Sequence, residues 1–147
     1  ELQDWLASGL VDVIVAIAPF SRSGQTVIPL CGDNLVLFAD QPDASISFNP
    51  TYVFVDYGPD YRRDHAQAYY AAGTARIAFD APGPALEYLL DHGGSAYLPD
   101  YYAAPHVQAG ALHAIDIAPV FQRPKYLIVN DSAQAKWPWL HALASAL

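Results

Sequence analysis

The chain's 147 residues are 53% hydrophobic, 13% aromatic and 15% charged, which suits one well-packed domain and excludes a disordered chain. A formal charge of −8, with only seven Lys and Arg, excludes a phosphate backbone as this chain's direct partner, because that contact needs clustered cations. The single cysteine, Cys31, excludes an internal disulfide, and no apolar run reaches membrane-spanning length behind a basic leader.

In chain order, Leu2, Trp5 and Leu6 recur at helical spacing and Gly9 stops that helix. Val11–Pro19 (VDVIVAIAP) is a Val- and Ile-rich run that fits a buried strand of a parallel sheet, with Asp12 its one polar interruption. Phe20–Gln25 is a polar loop. Thr26–Asp40 reads as two strand pieces broken at Gly32–Asp33, and Gln41–Asn49 as loop. Thr51–Asp56 (TYVFVD) is a strand, Gly58–Pro59 a turn, and Asp60–Ala72 a helix ended by Gly73. Arg76–Phe79 is a further strand. Asp80 then suits a helix entry, Pro82 and Pro84 fit a first turn, and Ala85, Leu86, Leu89 and Leu90 form an apolar stripe up to Gly93–Gly94. Ser95–Leu98 is a short strand closed by Pro99. Tyr101–Ala109 is a helix stopped by Gly110, Leu112–Ile117 and Val120–Val129 are strands, and Trp137–Leu147 is a terminal helix with Pro138 in its first turn. Strands alternating with helices make the chain α/β with mainly parallel sheets.

Three of these stretches resemble the effector-binding domain of LysR-type transcriptional regulators. They are the helix ending in glycine before LVDVIVAI, the stretch YVFVDYGPDY, and the helix, small-residue turn and strand closing on Leu98–Pro99. Gly94 matches the second glycine of the family's usual turn, and His92 stands in place of the first. The resemblance spans nearly the whole chain. It implies a two-lobe, type II periplasmic-binding-protein-like fold with two crossover strands. The first lobe would take about 1–37 and 125–147, and the second about 38–124. It also implies a homodimer or homotetramer in the cytoplasm, reaching DNA only through an N-terminal helix-turn-helix that these residues do not contain. The absence of methionine and the start at Glu1 agree with a piece of a longer protein.

Catalytic chemistry finds little support. Pro29–Gly32 gives Cys31 no local base, and Ser95 in GGSAY lacks the closing glycine of a nucleophile elbow. No two of the histidines His65, His92, His106, His113 and His141 sit at metal-ligand spacing, so no metal or cofactor is expected. Asp60 and Asp64 flank Arg62–Arg63 as a solvated helix face does.

Binding remains. Strand carboxyl ends and helix N-termini gather ligands in α/β folds, and here they fall at Ala18–Ser21, Asp56–Tyr61, Asp80–Pro84 and Tyr97–Asp100. Phe20, Tyr57, Tyr61 and Tyr97 would wall an apolar pocket there. By position, the family resemblance assigns contacts to Ala18, Phe20, Pro59, Tyr61, Gly83 and Pro84, in a cleft between the lobes. An aromatic or carboxylate-bearing effector suits those walls and the helix N-termini. A transport solute-binding protein, or a small α/β enzyme using Cys31 or a carboxylate, are the alternative readings of the same pattern.

Overall fold

The computed structural model describes residues 1–46, 50–70, 73–140 and 142. Its elements are, in order, α1 (Leu2–Ala7), β1 (Val13–Ala16), β2 (Gln25–Ala39), β3 (Val53–Val55), α2 (Pro59–Ala68), β4 (Ile77–Phe79), α3 (Pro82–His92) and β5 (Ser95–Pro99). Then come α4 (Asp100–Gln108), β6 (His113–Ala114), β7 (Phe121–Asn130) and a 3-10 helix at Asp131–Lys136. The chain divides into two compact units, one made of Glu1–Gly32 with Pro124–Leu147 and the other of Asp33–Arg123. The chain passes from the first to the second along β2 and returns along β7, and these two strands are neighbours.

In the first unit β1 lies antiparallel to β7, with Ile14 opposite Ile128. Alternation along β7 decides what packs on each face. Ile128 joins Leu6 and Ile14 on one side, while Leu127 and Val129 join Leu140 on the other. Asp12, the polar interruption, accepts bonds from Lys136 Nζ at 2.8 Å and Trp137 Nε1 at 2.9 Å, and so ties the 3-10 helix to the strand entry.

The second unit is built on β3 and β4, which pair in parallel with α2 between them in sequence. Gly94 packs β5 beside β3. A Cβ there would run into the Thr51 carbonyl, and its φ of 106° suits only glycine. Every residue of β5 is buried, and the strand pairs antiparallel with Leu35–Ala39 of β2. One continuous core results, running from Leu35 through Val53, Leu86 and Leu98 to Ile115.

Several sequence expectations are corrected here. The sheets are mainly antiparallel rather than mainly parallel. Among the described residues, parallel pairing is found where helices link the strands, as in β3–α2–β4 and the Tyr52–Ser95 bridge; the long strands entering and leaving the unit pair antiparallel with β1 and β5. Thr26–Asp40 is one strand and not two, because Gly32 keeps extended backbone rather than a positive φ. Leu112–Ile117 shrinks to the two-residue β6. Helix α3 starts one residue later than an Asp80 cap would have it, with Ala81 as its N-cap and no side-chain capping bond. The end of the expected terminal helix, His141 and the end of the Gln41–Asn49 loop lie outside the described residues, as do Ala71 and Ala72 of the expected second helix.

Candidate ligand-binding site

The eight candidate residues divide between the two units. In the first, Ala18 and Phe20 form a tight turn, with Phe20 N–H donating to the Ala18 carbonyl at 3.0 Å. Ala18 is exposed, and the Phe20 ring packs against Leu6, Ile14 and Ile128. Both border an open hollow of about 420 Å³ between α1 and the end of β1.

In the second unit the carboxyl ends of β3, β4 and β5 are followed by α2, α3 and α4. Gly58, at φ 104°, turns the chain into α2, and its N–H donates to Asp56 Oδ1 at 2.9 Å. Asp56 Oδ2 accepts from Arg62 Nη1 at 2.5 Å, so this carboxylate is committed to holding the turn. Pro59 then occupies the first helical position and is exposed. At α3, two of the first three residues are prolines, which leaves the N–H of Gly83 and of Ala85 as the first donors at that helix mouth. Pro84 is exposed and Gly83 half-buried; a Cβ on Gly83 would sit 3.3 Å from the Tyr102 hydroxyl. The glycine therefore keeps the mouth open beneath Tyr102.

The three tyrosines stand behind this surface. Tyr57, Tyr61 and Tyr97 are 5%, 5% and 0% exposed. Their rings belong to a packed aromatic group with Phe121, whose ring centroid is 5.4 Å from that of Tyr61 and 4.9 Å from that of Tyr97. The Tyr57 hydroxyl donates to the Tyr97 carbonyl at 2.8 Å. The Tyr97 hydroxyl donates to the Pro119 carbonyl at 2.9 Å, so the Tyr69 hydroxyl 2.5 Å away must be the donor in their shared bond. Burial, the leading cause, pushes all three phenol pKa values well above the ordinary value, with neighbouring tyrosines adding to it at Tyr61 and Tyr97. All three are neutral and not bases; Tyr57 and Tyr97 hydrogen-bond through their hydroxyls, while the buried Tyr61 hydroxyl has no hydrogen-bond partner among the described residues.

Sequence reasoning passed over the charged pair beside them. Asp33 Oδ2 accepts two bonds from Arg123, at 2.7 Å from Nη2 and 3.1 Å from Nε, and the guanidinium lies 5.1 Å from the Tyr57 ring centroid. Next to it Gln122 donates to Asn34 at 2.7 Å, and Asn34 to Asp100 at 3.2 Å. The available signal was an Asp-Asn pair inside apolar β2 facing a Gln-Arg pair at the start of β7. Cys31 is exposed on β2, and Ser95 Oγ is buried without a hydrogen-bond partner. Among the described residues, no cluster of three or more His, Cys, Asp or Glu could hold a metal ion, and no helix is long and apolar enough to cross a membrane.

No family model and no curated protein matches the chain in sequence. Solved structures do match in shape. The bromide-bound regulatory domain of HypT from Salmonella typhimurium is similar at 17% identity and a TM-score of 0.78, covering 98% of this chain and 77% of that one. The regulatory domain of MexT, a transcriptional activator in Pseudomonas aeruginosa, matches at 17% identity and a TM-score of 0.73, covering 99% and 76%. Full-length LysG from Corynebacterium glutamicum with bound effector Arg matches at 17% identity and a TM-score of 0.69, covering 97% of this chain and 53% of that one. The chain therefore has the mixed α/β fold of the regulatory domains of LysR-type transcriptional regulators, and it spans about half the length of the full-length protein it matches.

Proposed function

We propose that this chain is the effector-binding part of a LysR-type transcriptional regulator and that its two units are the lobes of a type II periplasmic-binding-protein-like fold. The observation that carries the reading is the likeness to such regulatory domains over 98% of the chain. In this reading the chain catalyses nothing. It meets a small molecule through Pro59, Gly83 and Pro84 of the Asp33–Arg123 unit. Tyr57, Tyr61 and Tyr97 hold those loops from behind. The Gly83 and Ala85 N–H groups favour a carboxylate or other anionic group on the effector. DNA contact would come from a helix-turn-helix outside these 147 residues, with the whole regulator a cytoplasmic homodimer or homotetramer.

A thermal-shift screen of amino acids and aromatic carboxylates tests this. A ligand that binds only the folded state at a hundredfold excess over its dissociation constant adds about 2.7 kcal/mol, or roughly 6–12 °C for a domain of this size. Gly83→Trp should abolish that shift while circular dichroism stays native. A hit that keeps its full shift in Gly83→Trp overturns the site.

A further inference from the structure

A different hollow, of about 350 Å³, opens in the Asp33–Arg123 unit. Its floor is the outer face of the β3–β4 pair. Val53 and Val55 point into the core, so Phe54 and its register partner Ala78 are left facing outward. Its wall is the end of α2, with His65 in the helix and Tyr69 one turn on at its C-cap, and Tyr52 and Ile46 close one side. The hollow sits at the amino ends of these strands, since Tyr52 precedes β3 and Thr74 precedes β4, whereas Pro59 and Gly83 follow the carboxyl ends. It is thus a separate place from the loops assigned to the effector, and its argument does not rest on that assignment.

The lining is chemically specific. The Tyr52 and His65 rings stack with centroids 5.9 Å apart and planes 19° from parallel, Phe54 meets His65 edge-on at 5.2 Å, and Tyr69 lies 5.1 Å from it. A 2.9 Å hydrogen bond joins the Tyr52 hydroxyl to His65 Nε2. Burial pushes His65 down to about 4, so the imidazole is neutral at physiological pH. None of the described lining residues is Asp, Glu, Lys or Arg. Aromatic walls, no fixed charge and a few polar anchors are the makings of a small-molecule site, and this volume falls within the roughly 300–1,000 Å³ such sites occupy.

We propose that this hollow is a second ligand site, taking an uncharged aromatic molecule of one or two rings that lies against Phe54, His65 and Tyr69 and hydrogen-bonds at the Tyr52–His65 pair or the Thr74 rim. A charged ligand is disfavoured because no charged group among the described lining residues compensates its desolvation.

Indole, with indole-3-acetate as its charged counterpart, is the probe. Titration of the whole chain followed by NMR should show saturable indole binding that moves the His65 ring proton signals, with the acetate weaker by roughly tenfold or more. Ala78→Leu fills the floor from an exposed strand position and should weaken indole by roughly tenfold or more, while Gly83→Trp should leave it unchanged. If Ala78→Leu fails to fold, the His65 signals in the unaltered chain decide the matter alone. Absence of saturable indole binding, saturable binding with unmoved His65 signals, or equal affinity in a folded Ala78→Leu variant overturns the proposal. Loss of indole binding in Gly83→Trp would do the same, by placing it at the strand ends. A missing effector at the strand ends would leave all of these readouts intact.

Discussion

The two units achieve burial in opposite ways. The Asp33–Arg123 unit has one continuous core, in which β5 is buried along its whole length and tyrosine hydroxyls are threaded through by bonds to carbonyls and to one another. Among its described residues, the other unit has two small clusters, Leu6–Ile14–Ile128 and Leu127–Val129–Leu140, on opposite faces of the β1–β7–β2 sheet. A two-layer core shares each buried side chain among many neighbours. A sheet with a thin layer on each side shares it among few. Among the described residues, the larger continuous core therefore lies in the second unit.

Removing Tyr97 should break that contrast most severely. Tyr97 is fully buried and joins β5 to Tyr69 and Pro119 through its hydroxyl. Tyr97→Ala removes a large ring and two hydrogen bonds and should cost about 4 kcal/mol in urea unfolding. Hydrogen exchange should then accelerate throughout β3–β5 rather than in β1. Tyr97→Phe keeps the ring and loses only the bonds, so it should cost about 1–2 kcal/mol. Equal costs for the two would mean that the ring packing matters less than its hydroxyl.

The buried ion pair gives the next effect. Asp33 is 3% exposed, and Asp33→Ala leaves the Arg123 guanidinium beside Tyr57 without the carboxylate that accepts two of its bonds. A loss of about 1–3 kcal/mol is expected, below that of a fully buried pair because the Arg123 side chain stays 22% exposed. The double variant Asp33→Leu with Arg123→Met should recover most of it, because both desolvation penalties then vanish. A double variant as unstable as the single one would show that the pair contributes more than it costs to bury.

Legibility in the sequence followed the same division. Local signals named the β3–α2–β4 and α3–β5 elements, because their boundaries are set by glycines and prolines that act within a few residues: Gly58–Pro59, Pro82–Pro84 and Gly93–Gly94. Pairing sense was misread because it is decided by β2 and β7, which run the long way between units and meet their partners across large sequence separations. The run YVFVDYGPDY pointed to a tyrosine-walled pocket, yet burial is a tertiary property, and the rings turned inward onto Phe121 and Tyr97. Asp33 and Arg123 stayed invisible because they are 90 residues apart in the chain.

Titration should sharpen the contrast with the smallest effect. In the second unit, burial holds His65 near 4, below its ordinary 6.5. A depressed histidine favours the folded state fully above its unfolded pKa. As pH falls through 6.5 the unfolded chain takes up a proton that the folded chain refuses, and the difference stops growing near 4. In the first unit, Asp12 is lowered by its bonds from Lys136 and then Trp137, so its contribution is present above its unfolded value of 3.8 and is lost only as pH falls below that. The two windows therefore scarcely overlap. Between pH 6.5 and 4 stability should decline by something on the order of 1 kcal/mol on account of His65, less than the full shift alone would give because the half-buried ring is partly screened by solvent, and His65→Gln should flatten that part of the curve. Site-resolved hydrogen exchange should register the decline at α2 and β3 while β1 and β7 hold until lower pH. A decline that begins in β1, or that persists unchanged in His65→Gln, would place the pH-sensitive contact in the thinner unit instead.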